Sequence, residues 1–231
     1  MADRIELEIS GIRFLWANLI TPVHPSAGRG KVDKTKPLQY NATVMIPKAH
    51  PIVPELRGKI REALAARFGA AKVPDNFGSF NLPSRCGDQH ADKKKADVEA
   101  GVEGAGEQEY TRGYWLLSVK SIINPERPSF PLPLAVIING KGENLTSDNR
   151  HKHANDFYWG VEGGCSVSFT SYDPTPLAPH GGCSCWINDA YSLAPAGEKI
   201  GGGGRDPAAR MSGYAGKSSD VDPTARSASG F

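Results

Sequence analysis

Polar and apolar positions alternate with a period near two over several short stretches of this chain, and with a period near four over a single longer one. IRFLWANLITP (12–22) reads as a strand closed by proline, and LQYNATVMIPK (38–48) as a second one. In the second, Leu38, Tyr40, Ala42, Val44 and Ile46 share one face and Gln39, Asn41, Thr43 and Met45 the other, since successive side chains of a strand point to opposite sides. The first face is expected in the core. IVPELRGKIREALAARFG (52–69) instead spaces Ile52, Leu56, Ile60, Leu64 and Phe68 four apart and stops at Gly69, which is the stripe and the terminator of an amphipathic helix. Strand patterning returns in YWLLSVKSII (114–123), LAVII (134–138), CSVSFTSYD (165–173) and CSCWINDAYSL (183–193), between Pro, Gly and Asn clusters. Strand, strand, helix and four strands predict a mainly β domain with one α-helix, built as a compact barrel or a sandwich.

Three segments interrupt this pattern. VHPSAGRGKVDKTKP between the first two strands reads as a loop. Residues 85–112, RCGDQHADKKKADVEAGVEGAGEQEYTR, carry scattered glycines and almost no large apolar side chain, so a mobile charged surface loop is expected there. Asp88, Asp92 and Asp97 alternate with Lys93, Lys94 and Lys95 in it, as in a solvated charge run. The folded domain is expected to span 1–200, because 201–231 is a Gly/Ser-rich stretch too small and polar to bury a core, and reads as a flexible tail.

Composition limits the function more than it defines it. With 231 residues and 39% hydrophobic content, one main core is expected. Basic and acidic side chains nearly balance, leaving a formal charge of +2, so affinity for a polyanion must come from local clusters. MADRIELEIS is charged where a signal peptide needs an apolar core, and no run approaches the ~18 apolar residues of a membrane span. A soluble intracellular protein without a membrane partner is expected. Cys86, Cys165, Cys183 and Cys185 contain only one close pair, C-x-C, so reduced thiols are expected and not a zinc site. HKH (151–153) has no acidic or thiol partner at a metal-ligand spacing. No phosphate loop, nucleophile elbow or H-E-x-x-H is present. Neither enzyme activity nor a metal or other cofactor is predicted.

Strand phase sorts the aromatic rings. Cys165, Val167 and Phe169 point one way, turning Ser166, Ser168, Thr170 and Tyr172 outward; Trp115, Leu117 and Val119 turn in, leaving Tyr114, Ser118 and Lys120 together on the other side. In the last strand Cys185 and Ile187 face inward, with Trp186 and Asn188 outward. FYWGVEGG (157–164) is less determined. Unbroken phase turns Tyr158 out and Trp159 in, but Gly163 and Gly164 invite a bulge that resets it, so one of the two is expected at the surface. Phe14, Trp16 and Tyr40 read as core.

Several stretches, taken in order, resemble the phage single-stranded-DNA-binding proteins of the group related to T7-type helix-destabilising proteins. FLWANLITP resembles that family's opening aromatic strand ending in Pro22, and LQYNATVMIPK its second strand with Tyr40, Pro47 and Lys48. LPSRCGD resembles a Pro-x-Arg-Asp-Gly-Asp turn through Pro83, Arg85, Gly87 and Asp88, with Cys86 in an aspartate's place. Tyr158 and Gly160 match a Tyr-x-Gly segment, and Ile187 and Asn188 the Leu-Asn positions of a glycine-led final strand. The resemblance implies an OB-fold, a partly open Greek-key barrel gripping single-stranded DNA in a groove, during phage DNA replication or recombination in the cytoplasm of the host cell. Cations along the phosphates and rings under the bases would then be Arg13, Lys31, Lys34, Lys36, Lys48 and Lys120, with Tyr114, Tyr158, Trp159, Tyr172 and Trp186. Many replication binders also dock partner proteins through an acidic tail with a terminal phenylalanine; this chain ends in Phe231, but bases outnumber acids in 205–231. A β-rich phage structural or assembly protein without nucleic-acid binding, or a small hydrolase, remains compatible with the same residues.

Overall fold

The computed structural model describes residues 5–28, 31–102, 105–123 and 131–194; the tail, with Phe231, lies outside the described residues. The elements in chain order are β1 (Ile5–Val23), β2 (Ser26–Gly28), β3 (Lys31–Val32), β4 (Gln39–Pro47), α1 (Val53–Phe68), β5 (Ser84–Cys86), α2 (Gly87–Glu99), β6 (Tyr114–Ile122), β7 (Leu134–Ile138), β8 (Lys141–Leu145), β9 (Glu162–Tyr172) and β10 (Gly182–Ser192). β2 and β3 form a small separate ribbon, and the rest order as β5-β6-β4-β1-β9-β10-β7-β8, with β6 also paired to β10.

That extra pairing closes β1, β4, β6, β10 and β9 into a five-stranded barrel. Numbered by sequence, its strands run 1-2-3-5-4 around the cylinder, which is the OB-type connectivity expected above. Closure rests on one parallel register pair, Lys120 with Trp186. β1 serves two neighbours, β9 through Ile5–Arg13 and β4 through Arg13–Val23, and shifts register between Ser10 and Ile12 and again between Leu15 and Asn18.

The interior is filled by the alternating apolar positions, among them Ile12, Phe14, Val44, Ile46, Leu117, Val167 and Ile187, all buried. α1 adds Leu56, Ile60 and Leu64 to the same cluster. Pro54 stands in its first turn, Glu55 and Arg67 complement its dipole, and Gly69 ends it at φ 88.

The expected loop over 85–112 is corrected: it contains a second helix. α2 escapes the apolar periodicity because it buries only Gly87 and Ala91, so no large side chain marks its inner face. Gly87 admits no substituent, since a Cβ there would lie 2.0 Å from the Thr111 carbonyl oxygen and 2.7 Å from that of Tyr114. The buried Thr111 hydroxyl donates to the Gly87 carbonyl at 3.0 Å. Asp88 is more than a solvated charge, because it pairs with Lys48 and accepts from the Gly113 amide at 2.8 Å. Arg112 binds Glu109 and, at 2.6 Å, Asp92. With Tyr110, this segment borders a second apolar cluster of Leu15, Met45 and Leu116, which is why Met45 and Leu116 are buried on faces that strand phase assigns to solvent. Three smaller differences stand beside it. β1 starts seven residues before Ile12, β8 pairs with β7 where no strand is predicted, and Leu38 is exposed just outside β4.

Candidate nucleic-acid interface

A cleft of about 650 Å³ opens beside the barrel seam. Its wall on one side is the outer face of β4 and β6, carrying Asn41, Thr43, Ser118 and Lys120, and on the other the start of β10 and the end of β9 with Ser184 and Tyr172. Between them lies the segment 81–83, hydrogen-bonded to both sides: the Asn81 amide donates to the Gly181 carbonyl at 3.0 Å, the Cys183 amide to Asn81 at 2.9 Å and the Ser118 amide to Pro83 at 2.8 Å. The wedge keeps β6 and β10 apart at this end, so the seam is a groove.

Tyr172 faces this groove, as its phase predicts. Its hydroxyl takes a 2.6 Å hydrogen bond from the Asn81 amide group, and its ring lies against Gly182, where a Cβ would stand 2.6 Å from that hydroxyl and 2.3 Å from the Asn81 carbonyl. Lys120 and Trp186 also turn outward, and the ammonium lies 5.1 Å from the indole centroid, a cation–π pair. Lys120 lines this cleft and Trp186 a second one of about 690 Å³. The pair is therefore the divide between two adjoining clefts. Among the described residues no carboxylate lines either, and Lys120 is the one charged side chain on their walls.

Trp16 corrects the core reading. It sits at the second register shift of β1 with φ +50, half-buried, and lines the first cleft. Its ring stands edge-on to Trp159 at 6.2 Å and to His90 of α2 at 6.4 Å. Of the two rings left open by the sequence, Trp159 is the exposed one, at 41%, and Tyr158 packs on the core. Burial, reinforced by the charges of Arg85, Lys94 and Lys93 against an opposing hydrogen bond donated to the Gln108 side-chain oxygen, holds His90 below its ordinary value.

The other predicted residues do not converge here. Arg13 pairs with Glu162 at 3.1 Å and shares with Tyr114 a separate pocket of about 200 Å³. Tyr114 itself packs on the Leu15–Met45–Leu116 cluster. Lys48 is engaged by Asp88. Lys34 and Lys36 are exposed between β3 and β4, Lys36 at 3.3 Å from Asp33, and Lys31 lies in β3. Cys183 and Cys185 line the first cleft as free thiols; burial pushes Cys183 up to about 12 and Cys185 well above its ordinary value, so neither is a thiolate at neutral pH. Sequence reasoning missed Trp16, Asn81 and Gly182. Asn81 and Gly182 carry no aromatic or charged signal, and Trp16 is disguised by its bulge.

No family profile and no curated protein sequence matches the chain. Among solved structures it is similar to the single-stranded DNA-binding protein of bacteriophage Enc34 in complex with single-stranded DNA, with a TM-score of 0.57 and 16% identity over 85% of this chain and 89% of that one. A second structure of the Enc34 protein gives 0.57 and 15% over 89% of each chain. Bacteriophage T7 gp2.5, a single-stranded DNA-binding protein, gives 0.50 and 13% over 98% of this chain and 100% of that one. The chain has the fold of phage single-stranded-DNA-binding proteins. The second and third strands of this barrel are β4 and β6, which wall the first cleft. Among the described residues, no helix is long and apolar enough to cross a membrane.

Proposed function

We propose that this protein binds single-stranded DNA with little sequence preference, laying the strand over the β4–β6 face and across the seam. The observation that carries this reading is the carboxylate-free groove lined by Trp16, Tyr172 and Lys120, with Trp186 stacked against Lys120 at the divide to the second cleft. Every base has a π-face, so stacking on such rings contributes ~1–3 kcal/mol per base without readout. Asn41, Ser118 and Ser184 offer groups that donate or accept, tolerating any base edge. The Enc34 protein, a neighbour in fold, forms a complex with single-stranded DNA, which supports the same ligand class. The role that fits is protection of strands during phage DNA replication or recombination, with no chemical step and no cofactor. Docking of replication or recombination proteins through Phe231 rests on the terminal phenylalanine alone.

Titration of the intrinsic tryptophan fluorescence with short oligonucleotides tests the reading. Single strands are expected to quench it and to bind at least tenfold more tightly than duplex of equal length, with affinity falling linearly in a log–log plot against salt. Equal affinity for duplex, or no binding by either, overturns it and favours a structural or assembly role.

A further inference from the structure

The second cleft has uncharged walls, yet a buried charge lies directly behind them. Arg150 opens a short 3-10 turn (Arg150–His153) and is 7% exposed. Its guanidinium lies over the Tyr40 ring, 5.4 Å from the centroid, donates to the Tyr40 hydroxyl at 3.1 Å, and donates to the Leu132 carbonyl. Its Nε is buried without a partner. Among the described residues no carboxylate stands within ion-pair distance of it. Guanidinium groups remain charged in proteins, and a buried charge satisfied only by neutral acceptors is costly unless an anion completes it. Tyr40 and Leu132, the two groups it binds, are both wall residues of the second cleft. On the opposite wall, Thr170 and the Asn188 amide can donate to phosphate oxygens.

We propose that the second cleft is a phosphate subsite for the backbone of the bound single strand, with the buried charge of Arg150 drawing the phosphate in. The proposal rests on the reading of the first cleft as a single-strand groove and extends it. A base stacked on Trp186 would have one flanking phosphate toward Lys120 and the other in this cleft. Low-dielectric walls strengthen the field of a charge set a few ångströms behind them. The occupant favoured over a free anion is a phosphodiester, because the cleft adjoins the first one along the seam and is open to a continuous strand.

The test compares full-length protein with Arg150→Met, Thr170→Glu and Thr170→Lys, titrating an oligothymidine and its uncharged methylphosphonate analogue over a range of salt. Arg150→Met is expected to bind the charged strand about 5–20-fold more weakly with a log–log salt slope smaller by about 0.7, the value of one single-strand phosphate contact, and to bind the methylphosphonate strand as the parent does. Thr170 is exposed, so its replacements should fold. Thr170→Glu should weaken and Thr170→Lys strengthen binding of the charged strand, with slopes moving in opposite directions. A folded Arg150→Met variant with unchanged affinity and slope overturns the subsite, as does equal loss of both strands. If Arg150→Met fails to fold, the Thr170 pair decides, and unaltered slopes in both overturn it. Inorganic phosphate raising the melting temperature of the parent, with no change in the oligonucleotide slope of any variant, also overturns it in favour of a free anion. Failure of the parent to bind any strand is a different result, which removes the reading of the first cleft.

Discussion

Trp16 holds a left-handed backbone conformation that costs a non-glycine residue about 1–3 kcal/mol, and what it gains is a ring presented to the groove beside Trp159. Such strain at a groove wall points to use there. Trp16→Ala is therefore expected to weaken single-strand binding by ~1–3 kcal/mol, with a smaller loss of stability than truncation of a fully buried ring, because Trp16 is half-buried against the Leu15–Met45–Leu116 cluster. Phe169→Ala should do the reverse, losing ~3–5 kcal/mol of stability on truncation of a buried ring. Thermal melts and oligonucleotide titrations of both variants check the pair; equal binding losses would mean that the ring of Trp16 acts through the fold. At this scale the sequence was legible over most of the strands that kept their period, though Ser168, turned outward by phase, is buried. Phe169, Leu117, Val119, Cys185 and Ile187 are buried, and Tyr172, Lys120 and Trp186 turn outward, as phase requires. It failed at Trp16 because a bulge adds a residue without leaving a mark in hydropathy, and at Tyr114 because the cover over that face comes from a distant segment.

That cover is the element least visible in the sequence. A helix is read from large apolar side chains recurring on one face, and α2 docks through a glycine, an alanine and ion pairs. Its attachment is accordingly electrostatic and should respond to pH. The Lys48 hydrogen bond, helped by the Gly113 amide, holds Asp88 below its ordinary value of 3.8, while the Asp88 hydrogen bond holds Lys48 above 10.5. The carboxylate's contribution is fully present above 3.8 and is lost as pH falls through the lowered native value; the ammonium's is fully present below 10.5 and is lost as pH rises through the raised one. Amide exchange in α2 and at Gly113, corrected for the intrinsic pH dependence, should be slow between these limits and accelerate first toward acid. Asp88→Asn should abolish the acid-side change, and persistence of that change would assign it to another carboxylate. Cys86, at the start of this helix, feels the same surroundings: burial raises its thiol, but the amides of Gln89 and Asp88 and the Lys48 ammonium outweigh it and leave the net value lowered.

For the whole molecule, the alternating pattern was enough to predict β architecture but not to separate a barrel from a sandwich. The deciding feature is a single parallel pair between β6 and β10, whose partners Lys120 and Trp186 stand 66 positions apart in the sequence, and no local pattern encodes a contact of that kind. The seam it closes also lies beneath the proposed path of the strand. Bound DNA should therefore stabilise the protein by about 2.7 kcal/mol at a free concentration one hundred times Kd, with new hydrogen-exchange protection concentrated in β6, β10 and the segment 81–83. Protection appearing instead around Arg13 and Tyr114 would move the binding face to the separate pocket that those two residues share.

The divided loyalty of β1 has a consequence during synthesis. Its later half finds β4 within a few tens of residues, but its first half must wait for β9, whose nearest partner residue, Glu162, lies 149 positions after Arg13. At roughly 5–20 residues per second, the ribosome needs on the order of ten seconds or more to deliver that partner. Through this interval Leu7 and Ile9 belong to an unpaired strand edge, the kind of surface on which neighbouring nascent chains aggregate. Glu6 and Glu8, which alternate with them and are exposed in the finished barrel, would repel a second copy of the same edge and so keep it vacant until its own chain completes it.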